Sequence, residues 1–186
     1  SVVGALQYAT ITRPEISFSI NKVCQYMSDP TEQHWAAVKR ILRYLAGTIS
    51  FGLSFLPSSS VPPFSLHAYC DAGWASDPDD RRSTSGAAVF FGSNLVSWWS
   101  KKQSVVARSS TEAEYCSLAL ATTKAIWIKS LLSELHIPHA TPIIFCDNMS
   151  TVALAHNPVM HSHIKHMELD LFDREKVIAK HLQVVH

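Results

Sequence analysis

Three acidic residues fall where predicted strands and helices begin or end, so side chains from different elements could meet there. Asp71 lies near the end of a strand-like run, Glu112 in the first turn of a long helical pattern, and Asp147 directly after a short apolar run. Carboxylates held close together repel one another unless protonated or bridged by cations. Hard ions such as Mg²⁺ take carboxylate and water ligands and leave positions for phosphate. Two such ions can activate a water for phosphodiester cleavage.

Each acid also has a purely structural interpretation, and the pattern alone leaves both open. Asp147 precedes a predicted helix, where a carboxylate commonly caps the free backbone N–H groups. Glu112 belongs to a capping box with Ser109, and Thr111 with Glu114 forms a second box on the same helix start. The strand-end aspartate could simply close a turn.

The first third of the chain predicts two helices. Residues 12–15 have the capping-box form, and apolar residues follow at helical spacing to Met27. Asp29 then supplies an N-cap with Pro30 behind it, and the second helix is expected to end at Gly47.

A change in composition predicts the domain boundary. Residues 57–63 are rich in proline and serine, which disfavours a helix and favours a linker. We therefore divide the chain into a helical segment, 1–56, a linker, 57–63, and a second domain, 64–186.

The second domain has an α/β order and predicts a mixed central sheet. Strands are expected at 64–75, at 86–92 and 94–99 as a hairpin, at 142–146 and at 182–185. Helices are expected at 110–135, 149–155 and 165–179. Leu118, Ala121, Ala125, Ile128, Leu132 and Leu135 should form the buried face of the longest helix.

Composition limits the function classes. The 186 residues are 47% hydrophobic and 17% charged with a net charge of +1, so a nucleic-acid surface would have to be local. No apolar run is long enough to span a membrane and the N-terminus has no basic leader, so we expect neither membrane insertion nor secretion. The four cysteines have no C-x-x-C spacing and are expected to be free thiols. Because no cysteine lies near them in the sequence, the histidines at 156, 161, 163 and 166 make an incomplete zinc-ligand set.

Five short sequence motifs, in this order along the chain, resemble the ribonuclease H domain of copia-type LTR retrotransposons. They are 69–75 (YCDAGWA), 82–86 (RSTSG), 97–103 (SWWSKKQ), 109–115 (SSTEAEY) and 146–148 (CDN). The segments 1–8, 13–17 and 34–45 resemble the end of the reverse transcriptase that precedes that domain. The resemblance covers essentially the whole chain.

The resemblance implies a ribonuclease H-like fold that cleaves the RNA strand of an RNA–DNA hybrid with two Mg²⁺ ions, Mn²⁺ being an alternative. Carried over by position, the metal ligands and catalytic acids are Asp71, Glu112 and Asp147. We predict Glu112 rather than Glu114 as the second acid, and leave Glu114 to cap the helix. The expected partners are the hybrid and the rest of the Pol polyprotein, in cytoplasmic virus-like particles or the nucleus.

The chain also departs from the family pattern. The family's fourth acid lies in a helix after the last strand, and we expect this sequence to stop before it; Glu168 or Asp170 could substitute. Gly73 stands where the family usually has aspartate, and the segment 172–177 is one residue short. The alternative function is therefore an inactive remnant or a nucleic-acid-binding module. Phosphate contacts are expected from Arg81, Arg82, Lys101, Lys102 and Arg108, with Ser109, Ser110 and Asn148 near the cut.

Overall fold

The computed structural model describes residues 1–57, 64–156 and 181–186. The predicted linker 57–63, apart from Pro57, lies outside the described residues. So do the predicted helix 165–179, the histidines at 161, 163 and 166, the segment 172–177, Glu168 and Asp170.

The N-terminal helices form a small core of their own. They are α1 (Val2–Ala9), a 3-10 turn (Pro14–Ile16), α2 (Ser17–Cys24) and α3 (Glu32–Gly47). The core they enclose consists of Leu6, Ile16, Ile20, Val23, Val38 and Ile41. The helices thus bury their apolar faces against one another, as amphipathic helices must.

Both predicted helix starts differ from the structure. The box expected at 12–15 does not form, because the Glu15 carboxylate instead accepts from Arg13 Nε at 2.6 Å. The cap of α3 is Thr31 rather than Asp29, because Thr31 keeps an extended backbone before the first helical residue. Its N–H donates to His34 Nδ1 at 3.0 Å.

A five-stranded mixed sheet carries the rest of the fold. In chain order the strands are β1 (Leu66–Gly73), β2 (Thr84–Phe91), β3 (Asn94–Lys102), β4 (Ile143–Cys146) and β5 (Gln183–Val185). The order across the sheet is β3-β2-β1-β4-β5. The first three strands pair antiparallel, whereas β4 runs parallel to β1 and to β5. Gly92, at φ +60°, makes the predicted hairpin turn between β2 and β3, where a side chain would be strained. The predicted mixed sheet is confirmed.

The long helix α4 (Ser110–Glu134) packs across the sheet, and α5 (Met149–His156) follows β4. Five of the six residues predicted for the buried face of α4 are buried. The exception is Leu135, which caps the helix and is 59% exposed. Ala121 and Ala125 are almost fully buried, and their small side chains allow α4 to approach the strands closely.

Polar contacts join the N-terminal helices to the sheet. Trp98 Nε1 donates to the Thr10 carbonyl at 2.9 Å, and Tyr26 Oη donates to Asp79 Oδ2 at 2.9 Å. The division into two domains stays a prediction.

Candidate metal centre

Strand direction brings two of the predicted acids to one edge of the sheet. Asp71 lies in β1 opposite Gly86, and Asp147 follows the last residue of β4. Because β1 and β4 are parallel and Cys70 pairs with Cys146, the next residue of each strand lies at the same level. Both aspartates are exposed, so the edge is open to solvent.

The third carboxylate at this edge is Glu114, which comes from the second turn of α4. Its side chain is buried, at 6% exposure, and Oε1 accepts from the Ala72 N–H at 3.1 Å. One turn later, Ser117 Oγ donates to the Asp71 carbonyl at 2.8 Å. These two contacts fix the start of α4 against β1, so Glu114 is held rigidly.

The donor atoms form a compact group. A carboxylate oxygen of Glu114, Cys146 Sγ and a carboxylate oxygen of Asp147 all lie within 4.8 Å of one another. Glu114 Oε2 is buried and has no hydrogen-bond partner in the part of the chain that the structure describes. A buried, unpaired carboxylate oxygen is costly unless a cation neutralises it.

The pKa of Glu114 also indicates that a cation would be favourable at this edge of the sheet. Burial raises the pKa of Glu114 to about 7; the Ala72 N–H opposes this shift, and the charges of Asp71 and Asp147 add to it. Among the described residues, no lysine or arginine forms an ion pair with any of these three acids. The compact group itself holds two carboxylates, those of Glu114 and Asp147, and among the described residues neither these nor the nearby Asp71 has a lysine or arginine as a countercharge.

A cysteine directly precedes each of the two aspartates in the sequence. Cys70 and Cys146 are buried partners on adjacent strands. Their mutual hydrogen bond, followed by burial, raises the pKa of Cys70. The same hydrogen bond lowers the pKa of Cys146 to about 7, and the Asn148 N–H contributes in the same direction. Sequence reasoning treated both only as buried thiols.

The structure gives the capping contacts to Glu112 and places Glu114 against the sheet. Glu112 Oε2 accepts from the Arg108 N–H at 2.7 Å, and the Glu112 N–H donates to Ser109 Oγ at 3.2 Å. Glu112 thus completes the cap of the helix together with the N-cap Ser109, and the prediction that Glu114 caps the helix was wrong. The reason is helical geometry, because two residues rotate a side chain by about 200° around the axis.

The signal that could have identified Glu114 is present in the sequence. Counting back from the buried stripe of α4, the positions 132, 128, 125, 121 and 118 continue to 114 at helical spacing. Position 112 lies off that stripe. Glu114 is therefore the acid that faces the sheet.

Three of the residues predicted to contact nucleic acid are engaged elsewhere. Lys102 Nζ forms ion pairs with Asp77 at 3.0 Å and Asp80 at 2.8 Å. Arg82 Nε lies 3.4 Å from the Asp80 carboxylate. Asn148 Oδ1 accepts from the Thr151 N–H at 3.0 Å, which makes it a helix cap.

The other predicted contacts are exposed. Arg108 and Ser110 lie at the start of α4, and Arg81 and Ser109 are also on the surface. Lys101 lines a groove of about 580 Å³ between β3 and α4. The groove is also lined by Ser97, Trp98, Trp99, Leu120, Thr123, Lys124 and Trp127. Lys124 Nζ lies 4.3 Å from the centroid of the Trp127 ring.

A second acidic cluster lies in the turn after β1, and no sequence pattern predicted its role. Asp77 is 1% exposed and accepts from Lys22 at 2.9 Å and from Lys102 at 3.0 Å. Burial alone would raise its pKa, but hydrogen bonds from both lysines and from the N–H groups of Asp79 and Asp80 hold the pKa of Asp77 well below its usual range. Lys22 comes from α2, so this cluster also ties the N-terminal helices to the sheet.

Comparison with known proteins identifies the family. The retrovirus-related Pol polyprotein from transposon RE2 of Arabidopsis thaliana is 50% identical over 100% of this chain and 13% of its own length. The corresponding polyprotein from transposon TNT 1-94 of Nicotiana tabacum is 37% identical, again over 100% of this chain and 14% of its own length. The chain thus spans about one-seventh of these relatives. No protein-family model matches it.

Among solved structures, the chain is similar to the N-terminal RNase H domain of a Mycobacterium tuberculosis protein, in a fusion with maltose-binding protein. The TM-score is 0.47 at 14% identity, covering 66% of this chain and 80% of that one.

No described helix is long and apolar enough to cross a membrane. With relatives matching over its full length, the chain belongs to the retrotransposon Pol polyproteins, and its mixed sheet agrees with the ribonuclease H-like fold that the sequence resemblance implies.

Proposed function

We propose that this domain is a metal-dependent ribonuclease H that hydrolyses the RNA strand of RNA–DNA hybrids, with Asp71, Glu114 and Asp147 as its metal ligands. The observation that carries the proposal is the buried Oε2 of Glu114, which lies beside two exposed aspartates and has neither a hydrogen-bond partner nor a countercharge among the described residues. A structural ion pair would have supplied a lysine or arginine at this point.

The donor set fits a hard divalent cation. Mg²⁺ binds through one or two protein carboxylates and retains water and substrate oxygens as further ligands. Glu114 supplies a fixed oxygen, and Asp71 and Asp147 supply oxygens that face solvent. When bound, two such ions supply a water of lowered pKa and stabilise the leaving oxygen. We propose Mg²⁺ as the resident ion, with Mn²⁺ as a substitute.

The protein's own contribution is positioning. The Ala72 N–H donates to one oxygen of Glu114 and so fixes the side chain. The other oxygen can then bind a cation without a further loss of side-chain conformational freedom. The hydroxyl of Ser117 bridges the carbonyls of Asp71 and Gly86, at 2.8 and 3.2 Å, and locks α4 onto the hairpin. The acids therefore need little reorganisation to bind metal.

We propose that the hybrid is held through its phosphates by the exposed residues near the site. Arg108 and Ser110 lie at the N-terminus of α4, where backbone N–H groups also favour an anion. Lys101 presents an ammonium in the groove beside indole rings that suit nucleic-acid contacts. Hybrid recognition would then depend on backbone shape and 2′-hydroxyls rather than on base sequence.

We further propose that this activity serves reverse transcription within a larger Pol polyprotein, in cytoplasmic virus-like particles. The support is that the relatives named above are Pol polyproteins of transposons. The exposed basic residues would also serve a domain that binds hybrids without cutting them, which is the alternative function.

The test is cleavage of an end-labelled RNA–DNA hybrid by the full chain in Mg²⁺ or Mn²⁺, compared with Asp71→Asn. Asp71 is exposed, so the variant should fold normally. We expect metal-dependent cutting of the RNA strand that the variant loses. Hybrid binding without cutting by the folded chain would refute the enzyme and leave the binding module.

A further inference from the structure

The candidate metal centre contains a sulfur atom that magnesium chemistry does not use. Cys146 Sγ lies within 4.8 Å of both a Glu114 oxygen and an Asp147 oxygen. Hard cations such as Mg²⁺ select oxygen, whereas thiolate ligands select ions such as Zn²⁺. One sulfur and two carboxylate oxygens are an acceptable ligand set for zinc.

The distances suit a zinc ion with little movement. Bond lengths of about 2.3 Å to sulfur and 2.1 Å to oxygen at a tetrahedral angle place ligand atoms about 3.5 Å apart. The group is therefore at most about 1.3 Å too wide for direct ligation. Asp147 is exposed and can rotate inward, whereas Glu114 and Cys146 are held by their neighbours.

A separate observation indicates a cation at this point. Glu114 is 6% exposed, and its Oε2 is buried without a hydrogen-bond partner among the described residues. The other oxygen is already occupied by the Ala72 N–H. The free oxygen is thus available to a cation, not to another protein group that the structure describes.

We propose that the site also binds one Zn²⁺ ion through Cys146, Glu114 and Asp147, and that this ion excludes the magnesium required for hydrolysis. A water completes four ligands, and the thiol proton of Cys146 leaves to solvent when the zinc–sulfur bond forms. The binding claim stands on the geometry alone, and the inhibition claim rests on the proposed ribonuclease function.

Binding is tested with Co²⁺, which substitutes for zinc and gives a thiolate-to-metal charge-transfer band in the near ultraviolet. The full chain is titrated with Co²⁺ in excess Mg²⁺. We expect the band to saturate at one equivalent and to disappear when Zn²⁺ is added. A folded chain that shows no band under these conditions would overturn the proposal.

Cysteine variants locate the sulfur. Cys146→Ser should lose the band, whereas Cys24→Ser, in the N-terminal helices, should keep it, and so should Cys70→Ser on the neighbouring strand. A band that survives in Cys146→Ser and vanishes in either other variant would contradict the assignment.

Asp147→Asn provides a test that does not disturb the core, because Asp147 is exposed. Outer-shell changes at metal sites typically cost 10–100-fold in affinity, so loss of a direct ligand should weaken Co²⁺ binding by at least about tenfold. Asp79→Asn, in the other acidic cluster, is the matched control and should bind Co²⁺ as the unaltered chain does. Equal affinities for both variants would exclude Asp147 as a ligand.

Inhibition is measured separately, as the Zn²⁺ concentration that halves hybrid cleavage at fixed Mg²⁺. We expect Cys146→Ser to need at least about tenfold more zinc than the unaltered chain. The absorbance experiment needs no activity, so a chain that binds Co²⁺ but never cuts would refute only the proposed function. An active chain that is insensitive to zinc would refute only the further inference.

Discussion

Two acidic clusters flank the end of β1, and they are neutralised in opposite ways. The buried carboxylate of Asp77 lies between the ammonium groups of Lys22 and Lys102. The buried carboxylate of Glu114 has acids as its charged neighbours, and the described residues provide no cation for it. The first cluster is neutralised within the protein, whereas we propose that the second takes its cation from solution.

The pKa values of Asp77 and Glu114 are shifted in opposite directions, as the difference in countercharge predicts. Lysine and backbone donors hold the pKa of Asp77 below its usual range, although burial opposes them. Burial and neighbouring acids raise the pKa of Glu114 to about 7. Burial acts on both groups in the same direction, so the countercharge decides the outcome. A buried acid with its countercharge missing is therefore the better candidate for metal chemistry.

The largest expected effect is on catalysis. Asp147→Asn should reduce hybrid cleavage by more than about a hundredfold, because loss of a direct metal ligand should exceed the 10–100-fold cost of outer-shell changes. Asp79→Asn changes the same group in the other cluster and should cut at nearly the normal rate. Initial rates on the labelled hybrid measure both, and equal losses would remove the distinction between the clusters.

A moderate effect is expected on folding. Asp77→Asn should lower the free energy of unfolding by about 1–3 kcal/mol, because it leaves two lysine ammonium groups without their buried acceptor. The exposed Asp79→Asn should cost less than about 1 kcal/mol. Urea denaturation gives both values, and an unchanged midpoint for Asp77→Asn would show that the cluster is not structural.

A smaller effect is expected in the pH dependence of stability. The folded pKa of Glu114 is raised from 4.5 to about 7, so the folded chain binds this proton more tightly than the unfolded chain. Without metal, its contribution to the free energy of unfolding should fall as pH rises from 4.5 to about 7 and level off above. Glu114→Gln should remove this slope, measured as the difference between urea midpoints of the two chains in EDTA. A pH-independent difference would indicate that Glu114 titrates normally.

The smallest effect distinguishes two adjacent lysines. Lys101 is exposed in the groove, whereas Lys102 is engaged by Asp77 and Asp80. If Lys101 contacts one phosphate, Lys101→Ala should reduce the salt slope of hybrid binding by about 0.7–0.9. Lys102→Ala should lower stability and leave the slope unchanged. Binding isotherms at several salt concentrations with a non-cleavable hybrid measure both.

Local patterns predicted most of the fold. The apolar period of α4 and the turn at Gly92 are short-range signals, and both agree with the structure. The helix α1 was not predicted from residue pattern, because valines and a glycine have weak helix propensity. Its start is stabilised by Ser1 Oγ, which accepts from the Gly4 N–H at 3.3 Å.

The site was harder to predict, for two physical reasons. Glu112 and Glu114 share one sequence word, and only the period of the distant buried stripe shows which one faces the sheet. The pairing of Asp77 with Lys22 joins residues 55 positions apart, and no local pattern carries that information. The placement of Asp71 and Asp147 at one edge of the sheet was easier to predict, because the ends of two parallel neighbouring strands lie at the same edge.

The proposed metal centre is tested most sharply by comparing Glu114→Gln with Glu112→Gln in hybrid cleavage at saturating Mg²⁺, after far-ultraviolet circular dichroism has shown that both variants are folded. The two changes are chemically identical and two residues apart on one helix. We predict that Glu114→Gln loses more than about a hundredfold in rate, whereas Glu112→Gln stays within a few-fold of the unaltered chain. The reverse order would contradict the assignment of the metal centre to the buried face of α4.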